Sequence, residues 1–436
     1  MTIALIRPNF WKLAALCLLM SSLAQFGRTN GTAPLTPKPP LSRTVNVPFD
    51  YNRPELGSFT LYYELGRPFD PLKPTVFVIA DGQQFYVRKG SVADLQVQVF
   101  GDQLNVVGIV GRGFNDAVIQ KYDRDGRVDW PSAYEFLKSD QWVEDIERVR
   151  THFLGPTGHI DLYGRSGGGL LVHKYIARHP SHVNIAFTQA AVNRFLDAEF
   201  GLQSDHFWTD LGNSDPSLQP LLLEVIEKHR DQYDKIMLLL QRQNFFVSRD
   251  KITPERARLI HGLARWDQDL LDGLAREYQI QPIIDLLNSP QGAAARVRVF
   301  ELFSPVLPPQ APKELQRIDP DDKVGRIFGA PLFTLLAQGK INTPVMYMSA
   351  LHDFQGQAYV VAGRYDHTAD YRSQIALATC FRNHRLLLLK DSHDFPNLYA
   401  TGHYARLVQA IFAHGLHSPQ LAAVERRLEP LIYHEN

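Results

Sequence analysis

His159-Ile160-Asp161-Leu162-Tyr163-Gly164-Arg165-Ser166-Gly167-Gly168 is the stretch on which the reading of this chain turns. His159 to Tyr163 is a short apolar run of the strand type, and Leu170 to Arg178 carries Leu170, Leu171, Tyr175 and Ile176 at helical spacing. Between them, Gly164-Arg165-Ser166-Gly167-Gly168 is a Gly-x-Ser-x-Gly turn. A sharp strand-to-helix turn forces its serine into a strained backbone conformation and tolerates almost no side chain two residues away on either side. The N-terminus of the following helix favours negative charge developing at that serine.

Outward from this turn, strands and helices alternate. Phe59 to Leu65, Thr75 to Ala80 and Leu104 to Val110 read as strands, Gln141 to Phe153 as an amphipathic helix, and Val183 to Thr188 as a further strand. From about Phe195 to Lys340 long helical patterns take over, as in Leu218 to Arg242 and Pro254 to Tyr278. Strand signals return at Pro344 to Ser349, Ala358 to Ala362 and Arg385 to Leu389. The pattern predicts an α/β fold with a mostly parallel sheet, helices on both faces and an inserted helical cap. Residues 45–194 form the first part of the core, 195–340 the cap and 341–436 the second part of the core.

The downstream strands deliver an acid and then a histidine. Asp366 follows Ala358 to Ala362, and His393 follows Arg385 to Leu389, so both fall past strand C-termini on the edge that carries Ser166. In the order Ser, Asp, His, the histidine takes and returns the serine proton while the acid fixes its tautomer. Asp353, after Pro344 to Ser349, is the rival acid. It stands 40 positions before His393, against 27 for Asp366, and 27 suits one helix and one strand. Asp394, His367 and Asp370 read as neighbouring loop groups. Gly167 supplies one N–H of an oxyanion hole, and Gln83, in the turn after Thr75 to Ala80, is the candidate for the other. No His-Glu-x-x-His pattern or paired-cysteine spacing occurs, so neither a metal nor a cofactor is implied.

Composition narrows the partners. The 436 residues hold 46 basic and 46 acidic side chains, without the excess of positive charge that a nucleic-acid binder carries. Arg7 and Lys12 precede the apolar run Leu13 to Met20, and small residues lead to Ala24, the pattern of a cleaved export signal over 1–24. The run is too short to span a membrane, so a secreted or periplasmic location without a membrane span is expected. Residues 25–44, rich in Pro, Thr and Gly, read as a linker. With Cys17 inside the leader, Cys380 stands alone and no intramolecular disulfide forms in the mature chain.

These residues resemble the α/β-hydrolase superfamily, and more narrowly the proline iminopeptidase and tripeptidyl aminopeptidase group of serine peptidases. The similar stretches are Val47-Pro48-Phe49-Asp50-Tyr51 with Pro54 and Gly57, the Asp145 to Leu154 helix, the turn and helix up to His179-Pro180, and Gly363 to Phe395. The resemblance implies hydrolysis of a small-molecule or peptide substrate through an acyl-enzyme, with a cap that selects it. A carboxylesterase, or a catalytically silent binding module on the same fold, is the alternative. Asp81-Gly82-Gln83 and Val110-Gly111-Arg112-Gly113 depart from the group's oxyanion loop and its Asp-x-Arg-Gly. Glu224, Glu227, Asp231 and Asp234 read as a solvated helix face rather than as receptors for a free amine.

Overall fold

The structure, a computed structural model, describes residues 41–81, 86–203, 205–247, 250–310 and 317–434. Its centre is an eight-stranded sheet of β1 (Leu41–Pro48), β2 (Ser58–Leu65), β3 (Thr75–Ile79), β4 (Asn105–Ile109), β5 (Ile160–Arg165), β6 (Val183–Gln189), β7 (Gln357–Gly363) and β8 (His384–Leu389). The spatial order is β1-β2-β4-β3-β5-β6-β7-β8. β2 pairs antiparallel with both β1 and β4, and every other pair is parallel. Every residue of β3, β4 and β5 is buried, because helices cover both faces of a parallel sheet. β1 at the edge alternates only in its second half.

The helices that position the site are α1 (Ser139–Leu154), α2 (Gly167–Arg178), α3 (Tyr233–Phe246), α4 (Ala293–Phe303), α5 (Pro320–Ala337) and α6 (Tyr371–Thr379). α3, α4 and α5 lie in the segment between β6 and β7, which holds no strand among its described residues. Among the described residues no helix is long and apolar enough to cross a membrane.

Several sequence expectations are corrected. The leader, 1–24, and most of the linker lie outside the described residues, but the linker's end is misplaced: Leu41 to Thr44 pair with Leu65 to Tyr62 as the start of β1. All four are exposed, so they carry no apolar alternation to betray a strand. Pro344 to Ser349 is no strand. It runs without sheet partners into a 3-10 helix at Met348–Asp353, because β6 and β7 pair directly, Ile185 with Gln357, and leave no place between them.

The two long cap helices are each broken. Leu218–Lys228 ends at His229 before α3 begins, and Ile252–Arg265 ends at Trp266, whose φ of 52° and ψ of 48° stop the helix. The two breaks meet: the rings of His229 and Trp266 stack with centroids 3.8 Å apart. This tertiary contact overrides a periodicity that runs on across both breaks.

Candidate active site

β5 ends at Arg165 and α2 begins at Gly167, leaving Ser166 alone at the turn with φ 50° and ψ −124°. Its N–H donates to the Gln189 carbonyl at 2.9 Å, and its carbonyl accepts from Gly169 at 3.0 Å and Val192 at 3.2 Å. A Cβ at Gly164 would lie 2.7 Å from the Gly168 carbonyl oxygen, and one at Gly169 would lie 2.5 Å from the Ala191 Cβ. Glycine is therefore required at both positions by contact. β3 and β5 are neighbours whose chains leave in opposite directions, so the turn stands at the switch point of the sheet.

The loops after β7 and β8 bring an acid and a histidine to this turn. His393 Nε2 lies 3.0 Å from Ser166 Oγ, and Nδ1 lies 2.8 and 3.0 Å from the two Asp366 oxygens. A carboxylate can only accept, so Nδ1–H donates and Nε2 is left to receive the serine proton. Asp366 Oδ1 also accepts from the N–H groups of Thr368 and Ala369 at 2.8 and 2.9 Å, which fixes the carboxylate. The loop carrying His393 is held by Asp391, which accepts from Ser392, Asn397 and Leu398. Gly363 lets the two loops touch, since its Cβ would fall 2.7 Å from the Asp391 carbonyl oxygen. Ser166, Asp366 and His393 are all buried.

Burial works to lower the His393 pKa, but the charge and hydrogen bond of Asp366, helped by Asp394 and Asp321, outweigh it and hold the ring above its ordinary value. The structure does not bring Asp353 to this histidine: it is exposed at the end of the 3-10 helix. Gly167, the first residue of α2, contributes one of the N–H groups that a helix's first turn leaves without an internal partner. Gln83 lies outside the described residues.

The helical segment closes over the site. The edge of the Phe245 ring, from α3, meets His393 with centroids 5.7 Å apart at 85°. A pocket lies beside it, lined by Val192, Gln241, Phe303, Asp321, Phe328 and Thr368 among others. Val192 and Thr368 bond Ser166 and Asp366 directly, so the pocket opens next to the reacting groups. Among the described residues that line it, Asp321 is the one acid; Arg194 meets one oxygen at 2.8 Å and Gln241 the other at 3.0 Å. Burial pushes the Asp321 carboxyl above its ordinary value against the pull of Arg194 and Gln241.

Sequence reasoning missed this carboxylate. Asp319-Pro320-Asp321-Asp322 carries the signature of a helix start, which it is, and nothing local marks it as lining a pocket. Glu224, Glu227, Asp231 and Asp234 are exposed. The neighbouring loop residues have structural work: Asp370 accepts from His206, and His367 Nε2 lies 3.5 Å from an Arg256 nitrogen, each joining the loop after β7 to the helical segment. Arg112 is wholly buried and forms a two-pronged pair with Asp145, both contacts at 2.7 Å, away from the pocket lining.

This strand order, with one reversed strand near the edge and the Ser166 turn after β5, defines the α/β-hydrolase fold. No family model and no curated protein matches the sequence. Among solved structures, an esterase from Rhodococcus sp. ECU1013 aligns over 86% of this chain and 99% of its own, with 12% identity and a TM-score of 0.44. Bromoperoxidase from Bacillus anthracis aligns over 84% and 98%, with 14% identity and a TM-score of 0.42. The enol-lactonase from Burkholderia xenovorans LB400 aligns over 80% and 95%, with 13% identity and a TM-score of 0.38.

Proposed function

We propose that this chain is an exported serine hydrolase that cleaves amide or ester bonds through an acyl-enzyme, with an aminopeptidase-type peptidase as the leading reading. The observation that carries it is the 3.0 Å contact between Ser166 Oγ and His393 Nε2, with Nδ1 committed to Asp366. As Oγ attacks the substrate carbonyl carbon, Nε2 takes its proton, and the oxyanion forms beside the Gly167 N–H and a second donor from the loop after β3. Nε2 then protonates the leaving amine or alkoxide, and an ester to Ser166 remains. Water, deprotonated by the same nitrogen, attacks that ester and frees the acid and the serine.

The peptidase reading draws support from the Val47 to Tyr51 motif and its companions, and from a carboxylate, Asp321, beside the reacting groups. The ester reading is favoured by a different observation: both Asp321 oxygens already have partners and most of the remaining lining is apolar, as an uncharged acyl group requires. The deciding experiment compares the purified protein and Ser166→Ala on aminoacyl and tripeptidyl arylamides and on short-chain aryl esters. Arylamide turnover lost in the variant supports the peptidase; ester turnover alone moves the assignment to an esterase. Absence of Ser166-dependent turnover and of fluorophosphonate labelling would leave a binding module. Export rests on the pattern from Arg7 to Ala24, and N-terminal sequencing of protein recovered outside the cytoplasm tests it: a start near residue 25 supports cleavage.

A further inference from the structure

The far end of the nucleophile helix carries a second cluster of reactive side chains, about 18 Å from Ser166 at 1.5 Å per residue. We propose that His179, His182 and Glu147 bind one divalent transition-metal cation of the zinc type there.

The local sequence prepares the arrangement. α2 stops at His179, Pro180 starts a 3-10 turn, and that turn ends at His182. Residues three apart in a 3-10 turn eclipse one another, which sends both imidazoles to the same side. The two rings lie nearly parallel, 9° apart with centroids separated by 6.0 Å. They face α1, which supplies Glu144 and Glu147 one turn apart. A ligand atom from each of His179, His182 and Glu147 lies within 4.8 Å of the other two.

The distances suit shared coordination better than hydrogen bonding. His182 Nδ1 is 3.4 Å from Glu147 Oε1, and His179 Nε2 is 3.5 Å from Glu144 Oε1. Among the described residues neither nitrogen has a hydrogen-bond partner, and both are shielded from solvent. A hydrogen bond would close to about 2.9 Å. Two ligands on a tetrahedral ion, each about 2.0 to 2.1 Å from it, stand about 3.3 Å apart. Two imidazoles and a carboxylate are also a donor set that suits zinc, with Glu144 or water as the fourth ligand.

A supporting shell is in place. Glu147 accepts from Arg150 at 2.7 Å on each oxygen and from the Tyr175 hydroxyl at 2.7 Å, so its orientation is fixed. Burial works against its ionisation, yet these hydrogen bonds hold its carboxyl down at about 2. Because Arg150 neutralises Glu147 and Arg178 meets Glu144 at 2.6 Å, the imidazoles carry most of the binding, and affinity is moderate. The cation would tie α1 to the end of α2 and to the turn that enters β6.

The test uses tag-free full-length protein dialysed against a chelator and titrated with Co²⁺, read by its visible d–d absorption. Saturation at one Co²⁺ per chain with a tetrahedral spectrum, displacement by Zn²⁺, and a raised Tm with Zn²⁺ are expected. His182→Gln, at a partly exposed position, is expected to bind at least about tenfold more weakly and to lose the Tm shift while its far-ultraviolet spectrum is unchanged; Ser166→Ala should bind like the parent. No absorption on Co²⁺ addition to the unaltered protein overturns the proposal. So does uptake by His182→Gln and His179→Gln that equals the unaltered protein's, which would place the metal elsewhere among the 16 histidines.

Discussion

Arg194 and Asp321, 127 positions apart, form a buried ion pair at 2.8 Å in which the acid lines the pocket beside Ser166. Arg194 also lies 3.6 Å from Asp197 and 3.5 Å from Asp322, so it is not stranded when Asp321 goes. Asp321→Ala should therefore cost about 3 kcal/mol, the low end for breaking a buried pair, as read by denaturant unfolding. Asp321→Asn keeps the shape and separates the two substrate readings. In a peptidase that holds a free amine here, kcat/KM falls for unblocked arylamides and holds for aryl esters; in an esterase the two substrates respond alike.

The pH dependence follows from His393. Only the neutral ring accepts the Ser166 proton, so kcat/KM should fall as pH drops through a pKa above the 6.5 of an ordinary histidine. Asp366→Asn removes the largest group holding that pKa up, so it should shift the acid limb downward and reduce kcat by about 10⁴-fold through the wrong tautomer. The stability effect has the opposite sense. With the folded pKa raised, protonated His393 favours the folded state; that contribution is complete below the unfolded pKa and is lost as pH rises through the folded one. A pH–rate profile set beside unfolding curves over the same range tests both directions.

What was legible in the sequence is what local chemistry determines. Ser166 could be found because a strand, a glycine-rich turn and a helix follow one another within 20 residues, and Asp366 and His393 because each closes a strand. The cap was readable as helical but not in its breaks, since His229 and Trp266 are separated by 37 positions and stop their helices only by meeting. Pro344 to Ser349 has strand composition, and only the direct pairing of β6 with β7 excludes it from the sheet. Leu41 to Thr44 fail in the opposite sense, paired by backbone with side chains all exposed. Asp321 acquires its place from packing that no periodicity records.

The turn itself makes a sharp prediction. In Gly164→Ala the new methyl would stand 2.7 Å from both the Gly168 carbonyl oxygen and the Val172 Cγ2. The backbone of α2 must move to relieve the first contact, and Ser166 moves with it. Fluorophosphonate labelling of the folded variant should slow by about 10²-fold, the cost of a misplacement near 1 Å. Gly155→Ala, whose Cβ would meet nothing within 4 Å, has the strain of a positive φ without that contact and should label at the parent's rate.

Arg112 gives the complementary case, a buried charge whose loss should spare specificity. Besides its pair with Asp145, it donates to the carbonyls of Phe49 at 2.8 Å and Phe136 at 3.0 Å, and Asp145 accepts from the Tyr51 hydroxyl at 3.0 Å. The guanidinium thus joins the loop after β1 to the helices that precede β5, with none of its contacts in the pocket. Arg112→Ala leaves the buried Asp145 carboxyl without its principal partner, at an expected cost of about 3 to 5 kcal/mol. Arg112→Lys should recover only part, because an ammonium cannot reproduce a two-pronged contact. In the fraction that folds, the ratio of kcat/KM between arylamides and esters should match the parent. A changed ratio would mean that Arg112 reaches the substrate.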